Sequence, residues 1–99
     1  MKIPKTLRIG RKLYKASVVR NMKRQFFKGQ VAFHERLIQV ARNSSDMRRR
    51  YGEGEKQETF WHEVTHAILE DMNHKLYNNE QFVTRFSMRL NGAIRSAKF

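Results

Sequence analysis

The stretch "KQETFWHEVTHAILEDM", residues 56–72, is where the period of the chain changes. Phe60, Val64, Ala67, Ile68 and Met72 recur at three- and four-residue intervals, the spacing of the buried stripe of a helix. A helix is predicted over 55–72. "MNHKLYNN", residues 72–79, interrupts it: the asparagines favour a turn, and Asn79 is placed to cap a new helix. That last helix is expected over 80–96, with Phe82, Val83, Phe86, Leu90, Ala93 and Ile94 as its apolar stripe.

Upstream the pattern is that of strands. "LRIGRKLYKASVV", residues 7–19, alternates apolar and polar positions on both sides of Gly10 and reads as a first hairpin. "QVAFHERLIQVAR", residues 30–42, carries β-branched and aromatic residues on both sides of "HER" and resembles a strand, a turn and a strand. Between them, "NMKRQFFKGQ", residues 21–30, is basic and fits either a helical turn or an irregular connection. "NSSDMRRRYGEGE", residues 43–55, is a polar, glycine-containing loop leading into the helix. Strands first and helices last make an α+β domain: a small antiparallel sheet of about four strands followed by two C-terminal helices, one domain over 1–99.

A chain of 99 residues has one core and room for one site, and 39% hydrophobic residues argue for a folded chain. Cysteine is absent, so disulfides, thiolate metal sites and a cysteine nucleophile are excluded, and any metal must use His, Asp or Glu. No segment approaches the roughly 20 apolar residues of a membrane span, and the N-terminus has no uninterrupted apolar core, so a cytoplasmic protein with no membrane partner is expected. The formal net charge of +12 attracts polyanions; the cations concentrate at Lys2 to Arg24 and at Arg48 to Arg50 but outline no single groove.

Within the predicted helix, His62 and His66 lie one turn apart on nearly the same face, so their rings can converge on one ion. Zinc takes imidazole nitrogen at about 2.0–2.1 Å, and a catalytic site commonly has three protein ligands and a water. Glu63 sits one step round the helix, within reach of that water, as the general base. The bland alternative is a surface helix with three polar residues, which chance spacing would produce in roughly one sequence in a hundred. Three residues compete for the third ligand. Glu70 lies one turn beyond His66 but points further along the axis, and His74 falls near the helix end. Glu80 opens the second helix, which a short reversal would bring back across the first; otherwise it is a favourable charge at a helix N-terminus.

"HEVTHAILEDM", 62–72, followed by "NNEQFVTRFSMRL", 78–90, resembles the short zincin-like proteins of bacteriophages and prophages, relatives of the minigluzincin metallopeptidases. "IPKTLRIGRKLYK", 3–15, and "GQVAFHERLIQVA", 29–41, are similar to that group's opening hairpin and strand pair. The resemblance implies zinc bound by His62, His66 and Glu80, Glu63 as general base, and a strand near Leu37 to Val40 as the cleft's lip, where an extended peptide pairs by strand addition. Larger gluzincins carry an acidic residue four positions after the ligand glutamate to orient the first histidine; here that position is Thr84. His74 or Tyr77 is a candidate donor to a developing oxyanion, Trp61 is expected to face away from the ligands and pack in the core, and His34 to lie in a surface turn.

Two functions follow as expectations. One is a zinc metallopeptidase cutting peptide or protein substrates with a metal-activated water. The other is a basic nucleic-acid-associated accessory protein whose zinc is structural or catalytically silent.

Overall fold

The computed structural model describes residues 2–22 and 27–99. It contains strands β1 (Thr6–Ile9), β2 (Lys12–Asn21), β3 (Gly29–Ala32) and β4 (Leu37–Asn43), then helices α1 (Glu53–Asp71) and α2 (Glu80–Ser96). Both helices and the strand–turn–strand readings therefore fall where the sequence periods put them, to within about two residues. Residues 23–26 of the ambiguous basic connection lie outside the described residues.

β1 and β2 form a hairpin closed by Gly10 and Arg11, with Ile9 facing Lys12. Gly10 has φ 62, and glycine is the residue that the first central position of a tight type II′ turn takes. It is needed a second time, because a Cβ there would run into the Asp71 carboxylate at the end of α1.

The sheet order is β1-β2-β4-β3. β2 and β4 run parallel, with Ala16 opposite Ile38 and Val18 opposite Val40, so the sheet is mixed and not antiparallel throughout as expected. The reason is topological: the chain leaves β2, passes to the far edge to lay down β3, and returns through the turn at 33–36 to fill the gap with β4. Alternating hydrophobicity states which side of each strand is buried, and is silent on which strand is the neighbour.

One sheet face carries Ile9, Tyr14, Ala16, Ile38 and Val40, which pack with Phe60, Val64 and Ala67 of α1 into the core. Trp61 packs against this cluster, edge to face on Phe60 at 5.1 Å, as the sequence implied. His34 is exposed in the β3–β4 turn, also as expected. A smaller cluster of Met22, Ala41 and Tyr51 anchors the loop before α1. At the entry to α1 the Glu55 carboxylate accepts the Gly52 N–H at 3.4 Å, the half of a capping box that a glycine can use.

The stripes on the helices are only partly those expected. Ile68 of α1 and Met72 just beyond its end are exposed, and α2 buries Val83, Ser87 and Asn91 while Phe86 and Ala93 stand in solvent. Among the described residues no helix is long and apolar enough to cross a membrane.

Candidate metal centre

α1 ends in a turn that the asparagine at 73 makes possible. Asn73 has φ 54, its N–H bonds to Glu70 O at 2.9 Å, and the His74 N–H bonds to Leu69 O at 2.9 Å. This is the Schellman arrangement, in which a left-handed residue closes the last carbonyls of a helix. The His74 ring is then used locally: its Nδ1 accepts the Leu76 N–H at 3.0 Å. Asn79 Oδ1 accepts the Phe82 N–H at 2.9 Å, and α2 starts at Glu80. The reversal folds α2 back along α1, so that the carboxylate at the first position of α2 meets the His62–His66 face of α1.

There the side chains converge. Glu80 Oε2 lies 3.0 Å from His62 Nε2, and Glu80 Oε1 lies 2.9 Å from His66 Nε2. The two imidazole rings stand 4.9 Å apart at 69°. One ligand atom from each of His62, His66 and Glu80 falls within 4.8 Å of the others. Of the three candidates for the third position, Glu80 is thus the one brought to the histidine pair, and neither His74 nor Glu70 joins this group.

Each histidine is constrained by its surroundings. The Tyr77 carbonyl can only accept, so His66 Nδ1–H donates to it at 2.7 Å and Nε2 is the ring atom that turns toward Glu80. A backbone carbonyl behind a ligand histidine is a usual way of fixing its tautomer and orientation. Burial, and then the neighbouring His66 ring, hold His62 below the ordinary imidazole range despite the opposing charge of Glu80. The neutral ring that results is the form that binds a metal. No hydrogen bond joins His62 to Thr84 among the described residues; Thr84 O accepts the Ser87 hydroxyl instead. A donor set of two imidazole nitrogens and a carboxylate, with no thiolate, fits zinc.

Glu63 is 8% exposed, and burial, reinforced by the charge of Glu80, pushes its carboxyl up to about 8. It opens onto the same cleft as the histidines, a cleft of about 510 Å³ lined also by Gln30, Val31 and Phe33. The opposite wall is therefore β3. It pairs with β4 on one side, and among the described residues its other edge is open. This corrects the expectation for Leu37 to Val40: β4 is paired with both β2 and β3, so it has no free edge to offer. Sequence reasoning missed β3 as the lip. Its signal was Gly29, where a Cβ would come within 2.6 Å of Thr59 Cγ2 and 2.8 Å of Gln39 O, so only glycine lets the edge strand lie this close to α1.

The two residues considered as oxyanion donors separate. His74 is tied into the loop, whereas Tyr77 is 40% exposed and its ring meets Phe33 edge-on at 6.1 Å, spanning the gap between the β3–β4 turn and the α1–α2 loop. Comparison of the chain with known families, curated proteins and solved structures yields no match.

Proposed function

We propose that this chain is a zinc-dependent metallopeptidase-like hydrolase of peptide bonds. The observation that carries the reading is the convergence of His62, His66 and Glu80, drawn from two helices, beside a buried carboxyl at Glu63. Bound zinc would supply Lewis acidity toward a peptide carbonyl and lower the pKa of a water toward about 7.

The rest of the chemistry belongs to the protein. Glu63 takes the proton of the attacking water and passes one to the leaving amine. A carboxyl at about 8 in the metal-free protein is a poor base at neutral pH; a dication beside it favours the charged form and brings it into working range. The edge of β3 that is open among the described residues aligns an extended peptide by main-chain hydrogen bonds, with the scissile bond lying over the histidines. The Tyr77 carbonyl holds His66 in place, and Tyr77, whose ring meets Phe33 of the cleft wall, is the remaining candidate oxyanion donor. Zinc held by His62, His66 and Glu80, with Glu63 as general base, is what the likeness to the short zincin-like proteins of phages implies. We place the protein in the cytoplasm, the setting expected from its sequence.

The test is a comparison of wild type with Glu63→Gln on unfolded protein substrates and fluorogenic peptide libraries. The expected result is zinc retained at wild-type level in both proteins and hydrolysis lost in the variant by at least 100-fold. Equal hydrolysis by the two proteins, or none by zinc-loaded wild type, would remove the peptidase reading.

A further inference from the structure

The apolar stripe of α2 and its buried face do not coincide. The helix packs on α1 through Val83, Ser87 and Asn91, leaving Phe86 49% exposed. Phe82 and Phe86 stack on each other at 5.9 Å with their planes 24° apart. The sequence "FVTRFSMR", residues 82–89, repeats phenylalanine and arginine at four-residue spacing, which places Phe82, Arg85, Phe86 and Arg89 within about 100° of one side of the helix. Leu76 joins them to line an open groove of about 550 Å³. The Arg89 guanidinium folds back on the Arg85 carbonyl at 2.9 Å, and neither arginine is in an ion pair among the described residues. No Asp or Glu follows Glu80 in the chain.

We propose that this face of α2 binds single-stranded nucleic acid. Arg85 and Arg89 are one turn apart, about 6 Å along the axis, a separation that suits consecutive phosphates of an extended strand. The paired phenyl rings beside them offer an apolar flat surface on which a base can stack, independent of its identity. Three occupants compete for an exposed aromatic face, and charge discriminates among them. A second copy of the chain would bring the unpaired arginines against each other, with +12 facing +12. An acidic helix would satisfy the arginines but needs anchor pockets along its length, and the apolar lining here is Leu76 and two rings. A polyanion uses the arginines locally and the remaining positive surface over its continuation.

The experiment is fluorescence anisotropy of zinc-loaded protein with a short labelled oligothymidylate over a series of salt concentrations, with circular dichroism to verify that each variant is folded. Arg85→Gln with Arg89→Gln is expected to weaken binding at least ten-fold and to reduce the slope of log K against log salt by about 1.4, the loss of two phosphate contacts. Phe86→Ala is expected to weaken it about ten-fold and Phe86→Tyr to restore it, because a ring is what stacks. Arg8→Gln with Lys15→Gln on the exposed sheet face, which removes the same charge, is expected to cost less than three-fold. The proposal is overturned if the two double variants lose affinity equally, if polyglutamate displaces the oligonucleotide at equal concentration of charge, if duplex DNA binds more tightly than the single strand, or if wild type does not bind at low salt.

Discussion

The two helices treat their side chains in opposite ways. α1 buries polar groups: His66 is 5% exposed and Glu63 8%, with Thr65 and Lys56 also inside. α2 exposes apolar ones, Phe86 and Met88 among them, while burying Ser87 and Asn91. The packed face of α2 mixes Val83 with Ser87 and Asn91, and buried hydroxyls on both helices are satisfied within their own helix: Thr65 Oγ1 donates to Trp61 O at 2.7 Å and Ser87 Oγ to Thr84 O at 3.3 Å. At one end of the seam between the helices Glu80 lies between the two histidines. The contrast teaches that an amphipathic stripe locates most of the packed face of α1, where the sheet demands it, whereas on α2 it finds Val83 but neither Ser87 nor Asn91.

Removing a ligand should break this contrast most completely. His66→Ala is expected to reduce bound zinc from about one equivalent to near zero. It should also abolish the stabilisation that zinc gives the wild type, about 4 kcal/mol at a free concentration 1,000 times Kd, read as the difference in thermal midpoint with and without metal. A variant that still gains the full shift would uncouple His66 from the centre.

Next in size is a matched pair of phenylalanines. Phe60, fully buried under the sheet, should cost about 3–5 kcal/mol on replacement by Ala, whereas Phe86→Ala should fall within about 0.5 kcal/mol of wild type in urea unfolding. Similar losses at the two sites would mean that the outer face of α2 is covered in solution.

pH sharpens the same point on the buried polar side. The Glu63 carboxyl lies at about 8 in the folded metal-free protein against an ordinary 4.5. Between those values the folded state holds a proton that the unfolded chain has released, so stability falls as pH rises, by at most about 1.4 kcal/mol per pH unit, and levels off above about 8. Metal-free wild type should therefore have a lower urea midpoint at pH 9 than at pH 6, and Glu63→Gln should flatten the profile. A wild-type midpoint that rises over that range would contradict the burial of this group.

The smallest effects concern the reversal that delivers Glu80. Asn79→Ala removes the cap on the Phe82 N–H and should cost about 1 kcal/mol. Asn73→Gly keeps a residue at ease with φ 54 and should be near neutral, whereas Asn73→Val, β-branched at a left-handed position, should cost at least about 1 kcal/mol and weaken zinc binding with it. If Asn73→Val changes neither, the turn does not set the position of Glu80.

Much of this was legible from residues alone. The helix boundaries followed from the period at Phe60, Val64 and Ala67, and from Asn79 as a cap, because caps and stripes are local physics. The pairing of His62 with His66 followed from one turn of helix. Glu80 was favoured but stayed open, since its meeting with the histidines depends on the path of the whole 72–79 loop. Two features were not legible. The parallel pairing of β2 with β4 is a choice of neighbour that no alternation encodes, and it leaves β4 paired on both sides, with β3 at the edge among the described residues. The buried face of α2 could not be read from its stripe, because Ser87 and Asn91 are ordinary surface residues in isolation and are buried here by the approach of α1.

If His62, His66 and Glu80 hold one zinc ion between the two helices, X-ray absorption at the zinc edge on protein loaded with one equivalent will show a low-coordinate shell of two imidazoles with oxygen donors at about 2.0–2.1 Å, which loses an imidazole in His62→Ala and is unchanged in His74→Ala. A shell without imidazole, or one altered by His74→Ala and indifferent to His62→Ala and Glu80→Ala, would contradict it.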